Sequence, residues 1–295
     1  MIKPLFTGVC TALVTPFSDD TIDYGILRKL LQFQIDSGIK AVVISGTTGE
    51  ASTLSDQEKI ELLRESKSFV DDQLLVIAGT GSNNTKHAIS LSKSAEENGA
   101  DGLLVVSPYY NKATAAGLIK HYTAIAQSVH IPVIIYNVPS RTGVDIPVEV
   151  YKELAKIENI AGVKEASTDI NKILKIRSVC GSNFPIWTGN DQMTVPAISL
   201  GCKGTISVMS NILPALTKEM TDAALSGDYS KAREIQMRTY PLCESLFSEV
   251  NPIPVKAAMK LIGYDCGNCR LPLSELSNDN YDLLKKQLKN LLDSK

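Results

Sequence analysis

The sequence predicts an α/β fold: a closed (β/α)8 barrel followed by a C-terminal helical domain. Three observations carry this. Short runs rich in Val, Ile and Leu recur eight times, segments of helical periodicity separate them, and no Gly-x-Gly-x-x-Gly turn follows the first run as it would in a doubly wound sheet.

The eight expected strands are Val9–Thr15, Ala41–Ser45, Leu74–Gly79, Gly102–Ser107, Pro132–Asn137, Ile160–Ser167, Pro185–Asn190 and Gly204–Val208. Continuous apolar runs of this length suit parallel strands covered by helices on the outside. Amphipathic stretches lie between them, among them Tyr24–Ser37, Ser55–Val70, Thr85–Asn98 and Thr114–Val129. Ser55 with Glu58 spells a capping box, and Gly38 and Gly99 stand where helices would end. The alternation stops near Gly227. The expected division is therefore a barrel over 1–227 and a helical domain over 228–295, the latter read as helices broken by Pro252, Pro254 and Pro272. In its last stretch Leu284, Leu288, Leu291 and Leu292 share one face, while Lys285, Lys286 and Lys289 read as a solvated one.

Composition narrows the function. The 295 residues are 44% hydrophobic and 21% charged, with a net charge of -2. That balance argues against nucleic acid or an anionic membrane as the main partner, because phosphate binding needs a concentrated positive field. No apolar stretch approaches the roughly 20 residues that span a bilayer, and Met1–Leu5 has no leader features, so a cytoplasmic protein with reduced thiols is expected. His87, His121 and His130 share no metal-ligand spacing, so neither a metal nor a Ser/His triad is expected, and no cofactor is called for. Cys266-Gly-Asn-Cys269 is a single C-x-x-C, read as two ordinary thiols in a loop against a zinc or redox pair.

Chemistry in such a barrel sits at the carboxyl ends of the strands. On the sixth strand, alternation puts Gly162, Lys164 and Ala166 on one face. If that face is the interior, burial favours the neutral, nucleophilic amine that a Schiff-base enzyme needs; the alternative is a structural lysine paired with a carboxylate. On the fifth strand Ile134 and Tyr136 share the interior face, so a phenol able to relay protons stands near that amine, or simply caps a backbone group in the core. Arg141 follows in a loop bounded by Pro139 and Gly143, where its planar fork suits a carboxylate or a surface ion pair. After the second strand, Gly46-Thr47-Thr48-Gly49-Glu50 offers hydroxyls and free N–H groups for a small carboxylate, though such a turn is often only a loop. Tyr109 and Tyr110 end the fourth strand on the same rim, as packing, interface or site residues. Together these describe a metal-free aldol reaction of a 2-oxo acid through a lysine imine.

Gly46-Thr47-Thr48-Gly49-Glu50, Tyr136-Asn137-Val138-Pro139-Ser140-Arg141-Thr142-Gly143 and Gly162-Val163-Lys164-Glu165-Ala166 closely resemble the pattern of the dihydrodipicolinate synthase family, also called 4-hydroxy-tetrahydrodipicolinate synthases, TIM-barrel enzymes of the N-acetylneuraminate lyase superfamily. The resemblance runs through Ser107-Pro108-Tyr109-Tyr110-Asn111 to Asn251-Pro252-Ile253-Pro254-Val255-Lys256. Ser-Arg-Thr-Gly after the tyrosine favours the synthase over its lyase relatives, which cleave N-acetylneuraminate or a 2-keto-3-deoxy sugar acid.

The resemblance implies condensation of pyruvate with L-aspartate 4-semialdehyde, on the way to diaminopimelate and lysine. It assigns the imine to Lys164, a proton relay to Tyr136, Thr48 and Tyr110, and the pyruvate carboxylate to Thr47 and Thr48. Arg141 would engage the semialdehyde carboxylate, and Gly189 and Ile206 would line the site through their backbone. A homotetramer built from tight dimers is implied, with Tyr110 reaching into a neighbouring subunit. One departure stands out. Where lysine-inhibited members carry a glutamate that grips the effector's ammonium, this chain has His87, and two positions often held by histidine are Asp56 and Lys59. An imidazole cannot replace a carboxylate as counter-ion, so weak or absent feedback inhibition is expected.

Overall fold

A computed structural model describes residues 4–293. Met1–Lys3, which open the stretch read for leader features, and Ser294 and Lys295, which close the helical segment, lie outside the described residues.

Eight parallel strands close into a barrel: β1 Gly8–Ala12, β2 Ala41–Ile44, β3 Leu75–Gly79, β4 Gly102–Val106, β5 Val133–Asn137, β6 Ile160–Glu165, β7 Ile186–Thr188 and β8 Gly204–Ser207. Each strand pairs with its sequence neighbour, and β1 pairs with both β2 and β8. The first strand is shorter than its apolar run. Past Ala12 the chain leaves the ladder and forms a small antiparallel hairpin, Phe17–Ser18 with Thr21–Ile22, that no apolar alternation signals.

The barrel helices are α1 Tyr24–Asp36, α2 Asp56–Val70, α3 Thr85–Glu97, α4 Ala115–Ala126, α5 Val148–Leu154, α6 Asn171–Cys180, α7 Thr194–Ser199 and α8 Pro214–Ser226. The Ser55–Glu58 capping box forms in both directions at the start of α2. Gly38 and Gly99 take φ of +73° and +84°, the left-handed turn that ends α1 and α3.

Alternation along the strands sorts side chains into two apolar layers. Val42, Val76, Leu103, Ile135 and Val163 face the helices. Cys10, Val43, Ile77, Leu104, Ile134 and Ile206 fill the interior. Phe6 and Trp187 belong to the inner set, stacked with ring centroids 4.8 Å apart, and the Trp187 indole N–H donates to the Phe6 carbonyl at 3.2 Å. The barrel is packed there, which leaves the carboxyl ends of the strands for chemistry.

Three further helices follow: α9 Tyr229–Ser245, α10 Ile253–Leu261 and α11 Asn278–Asp293. Pro272 falls between α10 and α11, as expected, but the other two prolines act differently. Pro252 caps α10 and Pro254 sits in its first turn, where the missing N–H is not needed, so they start a helix rather than break one. Pro241 lies inside α9. On α11, Leu284 and Leu288 are buried and Leu291 packs beside them, but Leu292 is half exposed at the helix end. Between α10 and α11, residues 264–273 run without regular structure, and the Cys266 carbonyl accepts from the Phe17 N–H at 3.0 Å. Burial pushes the Cys266 and Cys269 thiols up to about 12, so neither is poised to ionise.

Candidate active site

Strand register brings the two most reactive candidates together. Tyr136 on β5 is paired with Lys164 on β6, and both side chains enter the barrel. The Lys164 Nζ lies 4.3 Å from the centroid of the Tyr136 ring. Both residues are buried, and no carboxylate pairs with Lys164 among the described residues. The phase of β6 differs from simple alternation at one point. The register slips near Val133 and Ile134, so Ala161 joins the interior cluster while Gly162 adopts φ +140°. A side chain at 162 would meet the Pro185 carbonyl at 2.2 Å, so glycine there serves backbone packing, and beyond it Lys164 and Ala166 point inward as expected.

Gly189, just after β7, makes room for the lysine stem. A Cβ at this position would fall 2.7 Å from Lys164 Cε and 2.7 Å from Ala166 Cβ. Its N–H donates to the Glu165 carbonyl at 2.7 Å. Ile206 on β8 is fully buried in the interior cluster.

The acids around the amine are held away from it. Glu165 points outward, accepting from Asn137 Nδ2 at 3.0 Å and from the Ser167 N–H at 2.8 Å. Asp191 accepts from the N–H groups of Val208 and Met209, each at 2.9 Å. Burial raises the pKa of both carboxyls and of the Cys10 thiol.

The loop after β2 bends through Ser45 and Glu50, two non-glycine residues with φ of +50° and +56°. Gly49 packs within 3.1 Å of the Leu13 carbonyl, measured from where its Cβ would be. Thr48 is buried and its Oγ1 accepts from Asn251 Nδ2 at 3.0 Å, while Thr47 faces a cavity. Arg141 follows β5 in a one-turn helix, Pro139–Thr142, and its guanidinium donates to the Asn251 carbonyl at 2.9 Å.

The cavity, of about 350 Å³, is lined by Thr47, Tyr109, Tyr136, Arg141, Asn251 and, at another part of its wall, His87. Thr48, Lys164, Gly189 and Ile206 are not among the residues that line it, and three of these are nearly or wholly buried side chains. The two rim tyrosines part company. Tyr109 lines the cavity, whereas Tyr110 is 90% exposed and sits at φ +71°. His87 is fixed by Asp56, 2.8 Å from its Nε2, and by Ser82, 3.2 Å from its Nδ1; Lys59 lies 3.8 Å from the same Asp56.

Asn251 is the residue that sequence reasoning missed. It touches both Thr48 and Arg141, and its only signal was its place in the Asn251–Lys256 motif. Among the described residues no group of three or more His, Cys, Asp or Glu side chains is placed to hold a metal. No helix among them is long and apolar enough to cross a membrane.

A lysine and a tyrosine inside a closed parallel barrel, at its carboxyl-end mouth, define a TIM-barrel protein with its polar site in the usual place. The chain belongs to the dihydrodipicolinate synthetase family, whose profile matches residues 5–291, and it is an enzyme of that family. It is 48% identical over 289 residues to the 4-hydroxy-tetrahydrodipicolinate synthase of Acetivibrio thermocellus, covering 98% of each chain. Among solved structures it resembles dihydrodipicolinate synthase from Aquifex aeolicus, at 43% identity and a TM-score of 0.95, over 97% of this chain and 98% of that one. It also resembles DHDPS from Cyanidioschyzon merolae with lysine bound, at 37% identity and a TM-score of 0.95, over 98% and 99%.

Proposed function

We propose that this enzyme condenses pyruvate with L-aspartate 4-semialdehyde to 4-hydroxy-tetrahydrodipicolinate, in the route to diaminopimelate and lysine. The observation that carries the reading is the Lys164 amine over the Tyr136 ring at 4.3 Å, unpaired with any carboxylate among the described residues and given space by Gly189. Lys164 attacks the pyruvate carbonyl and water leaves, giving the imine. Loss of a methyl proton turns the imine into an enamine, whose carbon attacks the aldehyde. The semialdehyde amine then adds to the imine carbon, closing the ring and expelling Lys164.

Tyr136, Thr48 and Tyr110 carry the protons in this reading. Thr47 and Thr48 hold the pyruvate carboxylate, and Arg141, exposed at the cavity wall, takes the semialdehyde carboxylate. In this reading Gly189 and Ile206, which lie outside the cavity lining, contribute backbone to the site on its barrel side. Tyr110 is supported as a residue lent to a neighbouring subunit of a homotetramer by its exposure and its left-handed backbone beside Tyr109. The barrel over 1–227 and the helical domain over 228–295 remain the division we propose.

Regulation follows from the contacts around His87. With Asp56 and Ser82 occupying both ring nitrogens, the imidazole offers a lysine ammonium no free acceptor, which supports weak or absent feedback inhibition.

Borohydride reduction with pyruvate tests the chemistry. Mass spectrometry should find a pyruvyl adduct on Lys164, retained in Arg141→Ala while turnover with the semialdehyde collapses. Absence of the adduct would overturn the reading. Full turnover of the semialdehyde by Arg141→Ala would remove Arg141 from its binding, and no turnover of the semialdehyde by the wild type would point to a different second substrate.

A further inference from the structure

Outside the reacting residues, the most tightly built polar cluster joins the loop after β2 to the C-terminal region. Lys256 on α10 donates to Glu50 Oε1 at 2.8 Å, and the two side chains are 3% and 1% exposed. Each group has further partners. Lys256 also donates to the Asn268 carbonyl at 3.0 Å and lies 4.4 Å over the Phe17 ring, while Glu50 Oε2 accepts from the Arg270 N–H at 2.9 Å. Arg270 sits 4.3 Å from the same ring and grips Glu58, Asp20 and the Thr53 carbonyl. Its hydrogen bonds hold the Glu58 carboxyl down at about 2. Gly267, at φ +65°, lets the backbone of this segment run against the hairpin, since a Cβ there would meet the Phe17 carbonyl at 2.1 Å.

Burying two charges costs more than burying an apolar pair of the same volume, so such a pair is a poor means of adding stability alone. What it supplies is a fixed position. Glu50 closes the Gly46–Glu50 loop in a left-handed conformation that a non-glycine residue adopts only when its surroundings hold it. Two residues before it stands Thr48, itself held by Asn251 from the same C-terminal region.

We propose that Glu50 and Lys256 are positioning residues for pyruvate: the buried pair sets the loop so that Thr47 and Thr48 meet the substrate carboxylate. This rests on the function proposed above. Glu50 borders the cavity, but its carboxylate is held by Lys256 and the Arg270 N–H, and neither residue serves as imine, acid or base partner. They act through the loop.

The test compares Lys256→Met with the double variant Glu50→Gln/Lys256→Met, in the full-length protein. Lys256→Met leaves Glu50 charged and uncompensated, and should lose both thermal stability and pyruvate affinity. The double variant removes that uncompensated charge and should regain its melting temperature, yet its KM for pyruvate should stay raised on the order of ten- to a hundredfold, because the loop is still unanchored. Adduct formation on Lys164 should saturate at correspondingly higher pyruvate. A double variant with wild-type KM overturns the proposal and leaves the pair a merely structural contact. Should the double variant not fold, Glu50→Asp decides the matter the same way, since it keeps the charge but shortens the reach. If the wild type itself traps no pyruvate, the function falls, and this inference with it; a trapping wild type beside an unaffected variant sinks the inference alone.

Discussion

Gly189 and Lys164 share one volume: the lysine's Cε lies where any side chain at position 189 would have to go, 2.7 Å from its Cβ. The two residues belong to different strand ends, so the amine's location is set as much by what β7 leaves empty as by what β6 supplies.

Gly189→Ala should therefore act on the amine before it acts on the fold. Overpacking of this kind costs about 1–3 kcal/mol of stability. Displacement of the lysine stem should reduce kcat/KM by on the order of a hundredfold. Steady-state kinetics alongside thermal melts measure both. Wild-type kinetics in a folded Gly189→Ala protein would show that the stem has somewhere else to go.

Lysine sensitivity is the second expectation. Initial rates measured across a lysine titration should be flat through the sub-millimolar range, because His87 is already committed to Asp56 and Ser82. Strong inhibition in that range would mean that the effector finds another counter-ion.

His121 gives a pH dependence with a defined sign. Its Nδ1 is 2.9 Å from Thr85 Oγ1, its Nε2 is buried without a hydrogen-bond partner among the described residues, and burial lowers its pKa from 6.5 to about 4. Between those values the unfolded chain binds a proton that the folded protein does not. Stability must then fall as pH drops through the window, with a slope of up to about 1.4 kcal/mol per pH unit. Urea unfolding near neutrality and again at about pH 5 should show a loss that His121→Asn lacks. Equal losses in both proteins would assign the acid sensitivity elsewhere.

Much of the site was legible because strand alternation has a period of two. Tyr136 and Lys164 follow from it directly, and their register partnership turns two separate guesses into one arrangement. The bulge at Ala161 and Gly162 was not legible, since nothing in an apolar run marks where a strand slips by one residue. The separation of Tyr109 from Tyr110 was hidden for a similar reason: adjacent residues on a turning backbone face where φ sends them, and Tyr110 takes the left-handed value. Contacts from the C-terminal region were the least accessible. Asn251 with Thr48, and Lys256 with Glu50, join positions 203 and 206 residues apart. Only the topology of the closed barrel brings them together. A lysine inside the apolar stretch Ile253–Leu261 and a glutamate ending a glycine-rich turn were the available hints.

The reach of that pairing has a consequence in time. A ribosome delivers Glu50 early and Lys256 and Arg270 near the end, so the loop that carries Thr47 and Thr48 waits for its anchors through most of synthesis. All eight strands emerge while the loop is still unanchored. A chain cut short before Lys256 would thus carry all eight strands yet lack the contact that completes the mouth of the barrel.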